Sequence, residues 1–411
     1  MRILILSREG DGLGFAQALA REGHDVHVWI GDRRAKRAGV GIVGRPAAWR
    51  PLLPQTDLIV CDMVGFGHLR KLFDKLGKPV ISCHPDSDRA ELDRQFGLAL
   101  MRLAGIRHPR TWTFARPSDA REVPFPPKGL VIKPSGNKST ALTTVNRTRD
   151  QYLWNLERLP ADQPLIVQER IEGIEVSTEG WFNGHDWVRP FNHTFEEKRL
   201  MDGGVGPNTG CMGNVVLAAD DNRIVKETIL KLTPFLRKIS YRGPVDVNSI
   251  VNTQGVFALE FTMRPGYDAI EALTELLREP LGTLLFEVAT GVKKEMDLPS
   301  DEYGIAVRVS VPPWPHARPP AEQAGMPLRF PREAGKHIYL TDAYLEGGQA
   351  RYAAFDGVIA KVTARGRSPS EARGRVYRTL ANMRIPDAQY RTDIGQRVHS
   401  NLTLLRSMGY L

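Results

Sequence analysis

An apolar run that ends in a lysine, residues 130–133, is the first candidate for a ligand-binding site in this sequence. Lys133 closes the run, and a small polar segment, 134–140, separates it from the next apolar stretch. A buried ammonium group needs an anionic partner, and a phosphate is a natural one. Backbone N–H groups and hydroxyls of the segment could cover that phosphate, with Gly136 and Ser139 among the donors. The alternative is a lysine that simply reaches solvent at the end of a strand.

A second polar stretch follows the apolar run that starts at Leu165. Gln168, Glu169 and Ile171 belong to a segment whose extended backbone could pair with an adenine ring. Glu175 then starts the next predicted strand, where its carboxylate could accept hydrogen bonds from a ribose diol. Charged hairpins are common, so an ordinary surface hairpin is the alternative.

Two neighbouring strands predicted between positions 244 and 262 carry alternating polar residues. Side chains two positions apart share one face of a strand, so Asp246 points with Asn248, and Glu260 points with Thr262. The short connection between the strands predicts a hairpin that brings these two faces side by side. Oxygen ligands beside a triphosphate are typical of magnesium sites. An amphipathic hairpin with one solvated face is the alternative.

Two glycine-rich segments and one arginine complete the candidate set. Residues 10–14 lie between the first predicted strand and a helix, where the backbone around Gly10 could cradle a phosphate. A simple tight turn explains the same glycines. Residues 206–213 form a predicted loop of turn-favouring residues. Arg264 follows the predicted hairpin and offers a planar cation to a phosphate or an acyl phosphate.

The order of predicted elements places these residues in an α/β fold. Apolar runs alternate with helical spacing over roughly the first 90 residues, which predicts a parallel sheet with helices on both faces. A helix followed by an extended, proline-flanked segment is expected over 91–109, and the chain becomes β-rich from Leu130. Further helices are predicted over 223–238, 268–277, 280–290 and 370–383, followed by a polar C-terminal tail.

Composition bounds the class of protein and its surroundings. The chain has 411 residues, enough for roughly two or three domains, and its 42% hydrophobic and 25% charged content is ordinary globular usage. No apolar run approaches the roughly 18 residues that a membrane helix needs. The N-terminal apolar run is too short for a signal peptide. The 3 cysteines show neither disulfide nor metal-ligand spacing, so a reducing, cytoplasmic location is expected.

The net charge of +9 allows two interpretations. Basic residues cluster between positions 33 and 50 and again between 365 and 378. They could attract nucleic acid or another polyanion. We favour the alternative, a solvated surface plus the charge that a nucleotide-using enzyme needs, because aromatic and basic residues do not interleave in the sequence.

The order of these segments resembles the ATP-grasp superfamily, and in particular the phosphoribosylamine–glycine ligase family. The resemblance covers nearly the whole chain and rests on Lys133, Glu175, the octet 206–213 and the run 260–264. The octet is the most specific of these, and it differs from its family counterpart mainly by Cys211 in place of glycine.

The resemblance implies an α/β fold of the α+β ATP-grasp type, built in three parts. We expect an N-terminal parallel α/β domain over 1–90, an ATP-grasp domain over 91–300 with a small lid at about 110–190, and a C-terminal β-rich domain over 301–411. It also implies ATP and Mg²⁺ as cofactors, with Mn²⁺ as a substitute for magnesium.

The same resemblance implies roles for individual residues. ATP would be bound by Arg94, Lys133, Gly136, Ser139, Gln168, Glu169, Ile171 and Glu175. Magnesium would be bound by Glu260 and, because Thr262 replaces the family's usual asparagine, also by Asn248 or Asp246. The catalytic candidates are Arg264, Lys198, Asn208, Thr209 and Gly210, and the substrate candidates are Asp202, Asp268 and Gly10.

Departures from the family lie in the substrate regions. Residues 265–269 replace the family's acidic segment, which leaves Asp268 as the surviving carboxylate. The N-terminal signatures around Gly10 and Asp62 are weak. We therefore predict an ATP-dependent ligase that joins a carboxylate, such as glycine or another amino acid, to an amine through an acyl phosphate, with substrates different from those of the family.

Three alternatives stay open at this point: a genuine phosphoribosylamine–glycine ligase, an ATP-grasp kinase, and a non-catalytic module that binds nucleic acid or protein. The sequence identifies neither the acid nor the amine, and the amine could be free or carried on a polymer.

Overall fold

Four parallel strands form the N-terminal unit of the computed structural model, which describes residues 1–135 and 143–411. Their order is β2-β1-β3-β4, and their bounds are β1 (Arg2–Ser7), β2 (Asp25–Ile30), β3 (Leu58–Cys61) and β4 (Val80–Ile81). Branched apolar residues are buried on both faces of β1 and β3, so each face needs a covering layer. Helix α1 (Leu13–Arg21) packs on one face and α2 (Arg70–Lys75) on the other. The predicted parallel α/β unit is confirmed.

Residues 91–109, predicted as a helix and then an extended segment, contain the end of one helix and the whole of a second, and they are not helical after Leu103. Helix α3 (Pro85–Leu92) ends and α4 (Arg94–Leu103) begins at Asp93, whose backbone is extended. The Asp93 carboxylate accepts hydrogen bonds from the N–H groups of the second and third residues of α4, at 3.0 and 3.1 Å. Such a cap satisfies donors that have no partner inside the helix. It fixes the start of α4, and therefore the position of Arg94.

A small four-stranded antiparallel sheet follows, in the order β5-β8-β6-β7. Its elements are β5 (Thr111–Phe114), β6 (Leu130–Pro134), β7 (Thr144–Asn146), helix α5 (Arg149–Glu157) and β8 (Leu165–Glu169). The buried Tyr152 of α5 packs with apolar residues of β6 and β8. Strands β6 and β7 pair as the sequence predicted. The residues between them, which include the predicted Gly136 and Ser139, lie outside the described residues.

The largest element is an eight-stranded antiparallel sheet in the order β13-β12-β9-β10-β11-β14-β19-β16. Its strands are β9 (Ile174–Asn183), β10 (Trp187–Met201), β11 (Val205–Ala219), β12 (Arg242–Asn252), β13 (Gly255–Thr262), β14 (Tyr303–Ser310), β16 (Ile338–Leu340) and β19 (Val358–Gly366). The sheet therefore continues across position 300. The three domain boundaries stay a prediction.

Residues 206–213 are part of strand β11, so the predicted loop is wrong. The segment pairs with β10 through a ladder whose register shifts between Glu197 and Arg199 and again between Arg199 and Met201. Gly206 and Gly210 have φ of 82° and 86°, which a residue with a side chain rarely adopts. Glycine at these positions lets an irregular segment remain hydrogen-bonded in the sheet.

The rest of the chain packs around this sheet. A three-stranded sheet contains β15 (Pro327–Leu328), β17 (Ala343–Glu346) and β18 (Gln349–Tyr352). The remaining helices are α6 (Arg223–Glu227), α7 (Thr233–Lys238), α8 (Ala269–Leu276), α9 (Leu281–Thr290), α10 (Pro369–Ala381) and α11 (Val398–Ser407). Among the described residues, no helix is long and apolar enough to cross a membrane.

Two helix predictions need correction. The single helix expected over 223–238 breaks after α6, because Thr228 has φ −120° and ψ −93° and a 3₁₀ turn follows it. The expected polar C-terminal tail contains α11, which buries Val398, Leu402 and Leu405 against the core. Those apolar residues, spaced three or four apart, are the signal that the sequence reading passed over.

The two basic clusters differ in how the fold uses them. Arg33, Lys36 and Arg37 are exposed. In the second cluster, Arg375 pairs with a carboxylate on α10, and the Arg373 guanidinium donates to two backbone carbonyl groups. The binding of a polyanion by either cluster stays a prediction.

Replacement of the α4 cap tests the structural basis of this fold. We expect Asp93→Ala to lower the free energy of unfolding by about 1 kcal/mol, because two N–H groups lose their acceptor. Asp86→Ala, in the first turn of α3, removes a similar charge without a cap and should change stability less. Urea unfolding followed by circular dichroism measures both, and equal effects would contradict the capping role of Asp93.

Candidate active site

A cavity of about 520 Å³ lies between the small sheet and the large sheet. Many of the predicted site residues line it: Arg94, Lys133, Gln168, Glu169, Ile171, Glu175, Lys198, Asn208, Gly210, Asn248 and Glu260. They come from α4, both sheets and the segment after β8. We call this space the nucleotide cavity because of the chemistry of its lining, described next.

Positive side chains surround Glu260 in this cavity. Arg94 Nη1 lies 3.3 Å from one Glu260 oxygen, and Lys198 Nζ lies 3.9 Å from the other. Burial alone would raise the pKa of Glu260, but Lys133, Lys198 and Arg94 outweigh it and lower the pKa to about 2. Glu260 is therefore ionised throughout the physiological range, as a metal-binding carboxylate needs to be.

Lys133 is the most deeply placed cation of the cavity, with 7% of its surface exposed. Its ammonium group lies 3.4 Å from the carbonyl oxygen of Leu259. Burial lowers the pKa of Lys133 to about 8, although Glu260 opposes that shift. An anion bound in the cavity would favour the charged form of this lysine.

Lys198 connects the carboxylates of three strands. Its Nζ lies 2.8 Å from Glu175 and 3.7 Å from Glu196, in addition to Glu260. Burial would lower the pKa of Lys198, but these three carboxylates outweigh it and raise the pKa. With the amide nitrogen of Asn248 toward Glu175 at 3.2 Å, its oxygen accepts from Lys198 at 3.3 Å.

The predicted hairpin of β12 and β13 is confirmed. Asp246 pairs with Thr262, and Asn248 pairs with Glu260 across the two strands. Asn248 and Glu260 line the nucleotide cavity, whereas Asp246 and Thr262 do not. Among the described residues, no cluster of three or more His, Cys, Asp or Glu side chains could hold a metal ion by itself. A carboxylate and an amide oxygen suit Mg²⁺ when phosphates complete its coordination.

The end of β8 and the residue that follows it, Arg170, are hydrogen-bonded to neighbouring segments along the cavity. The N–H of Glu169 donates to Arg110 at 2.9 Å, and the N–H of Arg170 donates to Gly129 at 3.0 Å. The Gln168 amide donates to the hydroxyl of Thr111 at 3.1 Å. These bonds fix a stretch of backbone at the cavity wall.

A second cavity, of about 700 Å³, adjoins the first. Asn208 and Gly210 of β11 line both, and Gly10 and Thr209 line the second. The Thr209 hydroxyl donates to the carbonyl oxygen of Lys198 at 3.1 Å. We call this space the substrate cavity, because a group bound there would meet the contents of the nucleotide cavity at β11.

Asp268 lies beneath the substrate cavity and is fully buried. Both of its oxygens accept hydrogen bonds from Arg308 at 2.9 Å, and Lys361 Nζ lies 3.4 Å from one of them. Burial would raise the pKa of Asp268, but Arg308 and Lys361 outweigh it and lower the pKa. Asp268 therefore faces these two cations, which themselves line the cavity.

The sequence analysis missed Arg308 and Lys361. Arg308 is the single charged residue of the buried strand β14, and Lys361 is the single buried charged residue of β19, whose other cation, Arg365, is exposed. A buried charge needs a partner, so a lone cation in such a strand is a usable signal.

Two predicted residues lie elsewhere. Arg264 lines neither cavity: its Nε donates to Glu91 at 3.0 Å, and its guanidinium lies 3.8 Å from the centroid of the Tyr267 ring. Asp202 lies at the connection between β10 and β11, where it accepts a hydrogen bond from the N–H of Thr392 at 2.8 Å. It lines neither cavity.

Comparisons with known proteins agree with this arrangement. Residues 92–269 match the family described as phosphoribosylglycinamide synthetase, ATP-grasp (A) domain. The phosphoribosylamine–glycine ligase of Leifsonia xyli subsp. xyli is 28% identical over 341 residues, which cover 78% of this chain and 79% of that protein.

Solved structures agree as well. The crystal structure of phosphoribosylamine–glycine ligase from Thermotoga maritima has a TM-score of 0.76 at 24% identity and covers 96% of this chain and 100% of that one. The biotin carboxylase domain of 2-oxoglutarate carboxylase from Hydrogenobacter thermophilus, solved with MgADP and bicarbonate, has a TM-score of 0.64 at 12% identity, with coverage of 94% and 91%.

Through residues 92–269, this chain resembles the ATP-grasp ligases, a class of ATP-dependent enzymes that form C–N bonds. Within that class, it is similar to the phosphoribosylamine–glycine ligases over most of its length. The resemblance stated from the sequence is confirmed.

The buried charges beneath the substrate cavity give a testable expectation for stability. We expect Asp268→Asn to lower the free energy of unfolding by about 3–5 kcal/mol, because Arg308 and Lys361 lose their shared partner. The double variant Asp268→Leu with Arg308→Met should recover part of the loss. Urea unfolding at pH 7 measures both, and a stable Asp268→Asn protein would contradict this account.

In the unsubstituted protein the same pair predicts acid sensitivity. The folded-state pKa of Asp268 is lowered, so its stabilisation is fully present above its unfolded pKa of about 4. It is lost as the pH falls from there through the lowered folded-state value. The unfolding free energy of the Asp268→Leu/Arg308→Met variant should therefore depend less on pH below about pH 4.

Proposed function

We propose that this protein binds ATP and magnesium and joins a carboxylate to an amine through an acyl phosphate. The observation that carries the proposal is the pair of cavities that meet at Asn208 and Gly210. One cavity has the cations and the ionised Glu260 that a metal-bound triphosphate needs, and the other has a polar lining that suits small substrates.

The residues of the nucleotide cavity have separable roles in this proposal. Arg94 and Lys133 bind the phosphates, the segment from Gln168 to Ile171 binds adenine, and Glu175 accepts from the ribose. Glu260 and Asn248 fit a magnesium or manganese ion, since both offer oxygen ligands on one face of the hairpin. When bound, the metal neutralises charge on the phosphates. Asp246 and Thr262 stay predictions for this role.

The reaction has two steps. A carboxylate oxygen of the acid attacks the γ-phosphorus of ATP; a P–O bond to the acid forms, and the bond to ADP breaks. The amine nitrogen then attacks the acyl carbon; a C–N bond forms, phosphate leaves, and the nitrogen loses a proton. In such transfers, the rate acceleration comes mainly from positioning of the reactants and from neutralisation of charge. In this proposal the acyl phosphate is contacted by Asn208 and Gly210, which line both cavities, and by Thr209, which lines the substrate cavity.

The acid in this proposal is glycine or another small amino acid. Its carboxylate would be positioned near β11, with Arg308 and Lys361 as the nearest buried cations of the substrate cavity. Asp268 would contribute indirectly, by holding Arg308 and Lys361 in position. Asp202 and Arg264 stay predictions for substrate binding and catalysis.

A second candidate is the reaction in the name of the relatives, between phosphoribosylamine and glycine. The favouring observation is the similarity to the Leifsonia xyli enzyme over 78% of this chain. The two candidates share the nucleotide chemistry and differ in the amine alone.

A screen of ADP release tests the proposal. Glycine and other amino acids are crossed with phosphoribosylamine and simple amines, and products are identified by mass spectrometry. Ligation requires that ADP release depend on both an acid and an amine. ADP release with a single substrate, the acid or the amine alone, would identify a kinase. No ADP release with any acid–amine pair would support a binding role.

Glu260→Ala is expected to lower kcat/KM at least about 100-fold, because the metal loses its ionised ligand. Glu157→Ala, on the exposed side of α5, is the matched control and should retain activity. A Glu260→Ala protein with full activity would contradict the metal assignment.

Lys133 gives the proposal a pH signature. Its pKa of about 8 in the free protein means that the ammonium form is lost as the pH rises through 8. We therefore expect kcat/KM for ATP to decline above that pH. Lys133→Arg, which stays protonated, should remove the decline even if its maximum is lower. An unchanged decline in the arginine variant would assign the titration to another group.

A further inference from the structure

A buried arginine near the C-terminus contacts the strand that carries Lys198. This residue, Arg391, lies in the segment between α10 and α11, and its side chain is fully buried. Its Nη2 lies 3.1 Å from a carboxylate oxygen of Glu197, and its Nη1 donates to the carbonyl oxygen of Arg199 at 3.0 Å. Glu197 and Arg199 are the two neighbours of Lys198 in β10. One guanidinium group therefore holds the residues on both sides of that lysine.

Asp393 orients the guanidinium group of Arg391. The Nε of Arg391 donates to one Asp393 oxygen and the Nη2 to the other, both at 2.7 Å. Burial would lower the pKa of Arg391, but Asp393 and Glu197 outweigh it and raise the pKa. Asp393 also accepts a hydrogen bond from the N–H of Gly203, at the connection between β10 and β11, at 2.8 Å. Paired charges of this kind fix both the position and the plane of the guanidinium group.

The segment that carries Arg391 is bound to helix α10 on its other side. The Tyr377 hydroxyl donates to the carbonyl oxygen of Arg391 at 2.9 Å and accepts from the N–H of Ile394 at 3.0 Å. The Arg373 guanidinium donates to the carbonyl oxygens of Thr392 and Ile394. Arg391 is therefore a rigid support, fixed by the helix behind it.

Pairing between β10 and β11 does not by itself fix the position of Lys198. The register of that ladder shifts between Glu197 and Arg199, and regular pairing is interrupted at such a shift. The Lys198 carbonyl oxygen accepts from the Thr209 hydroxyl at 3.1 Å, and Arg391 holds both neighbours. Arg391 thus supplies contacts at the place where the ladder is irregular.

The position of the Lys198 ammonium group affects the charge of the nucleotide cavity. Its Nζ lies 2.8 Å from Glu175 and 3.9 Å from Glu260. Because the energy between two charges falls as their distance grows, a displaced ammonium group would balance these carboxylates less well. It would also lie at a different distance from a bound triphosphate.

We propose that Arg391 is a positioning residue of the nucleotide cavity: it holds both neighbours of Lys198 and thereby places the Lys198 ammonium group for magnesium-bound ATP. Asp393 supports this role by fixing the orientation of Arg391. The inference rests on the proposed function, because it assumes that the cavity binds magnesium and ATP. It also gives the cavity a support from residues outside the matched region 92–269.

A double-variant cycle tests whether Arg391 acts through Lys198. Isothermal titration calorimetry of the full chain measures the Kd for magnesium-ATP. Lys198→Gln and Arg391→Lys are each expected to raise that Kd at least about tenfold. The double variant should bind within about twofold of Lys198→Gln alone, because Arg391 has no second route to the nucleotide. An unchanged Kd in Arg391→Lys, or losses that multiply to about a hundredfold, would overturn the inference.

A comparison of affinity with stability separates positioning from a merely structural role. Arg391→Lys keeps a buried charge beside Glu197 and Asp393, whereas Arg391→Gln removes it. Arg391→Lys should therefore recover most of the stability to urea that Arg391→Gln loses. It should not recover the magnesium-ATP affinity, because an ammonium group lacks the planar fork that spans Glu197 and Arg199. Affinity that recovers together with stability would overturn the inference.

Arg45→Lys is the matched control. Arg45 is half-buried, donates to the carbonyl oxygens of Val28, Ala35 and Ala38 in the N-terminal unit, and lines neither cavity. Its replacement costs guanidinium hydrogen bonds and should leave the Kd for magnesium-ATP unchanged. If Arg391→Gln does not fold, the comparison of Arg391→Lys with Arg45→Lys decides, and equal losses of affinity would overturn the inference.

The outcomes separate this inference from the proposed function. If the cycle is non-additive but no acid–amine pair releases ADP, the ligase proposal fails and the role of Arg391 stands. If a pair releases ADP while the losses of affinity multiply, the ligase stands and the inference fails. Failure of the unsubstituted protein to bind magnesium-ATP would overturn both.

Discussion

The ammonium group of Lys198 is the interaction on which the centre of the molecule depends. It lies among carboxylates from three strands: Glu175 of β9, Glu196 of its own strand β10, and Glu260 of β13. Without that charge, three carboxylates on one sheet face would repel one another. Even with it, burial and the neighbouring carboxylates raise the pKa of Glu196 to about 7, although Lys198 opposes the shift. With Lys133 and Arg94 also close to Glu260, three cations stand against three carboxylates in this part of the site.

Strand β11 joins the two halves of the site. Its first part has the composition of a loop, yet it stays in the sheet because Gly206 and Gly210 adopt positive φ and the ladder tolerates two register shifts. The same few residues therefore line both cavities. In the proposed reaction, an activated intermediate made in one cavity would react in the other without leaving the backbone that borders both.

Part of this site could be predicted from sequence because it follows from strand geometry. The alternation of side chains and the short hairpin connection were enough to place Glu260 beside Asn248. Lys133 could be predicted at a strand end for the same reason. The break at Asp93 and the strand at 206–213 could not, since both depend on hydrogen bonds that composition does not specify. Arg308 was missed because its partner, Asp268, is 40 residues away in sequence.

The two cavities differ in how their charged side chains are balanced. They also differ in how much of their lining the family match covers. In the nucleotide cavity, burial would raise the pKa of Glu260, but the nearby cations Lys133, Lys198 and Arg94 lower it to about 2. In the substrate cavity, Asp268 and Glu271 pair with the buried cations Arg308 and Lys361, and burial raises the pKa of Asp356 to about 7. The family match covers 92–269, which includes most of the nucleotide cavity, whereas Glu9, Asp11 and Asp356 lie outside it. The family match therefore bears mainly on the residues of the nucleotide cavity, and it does not include the N-terminal and C-terminal residues that line the substrate cavity.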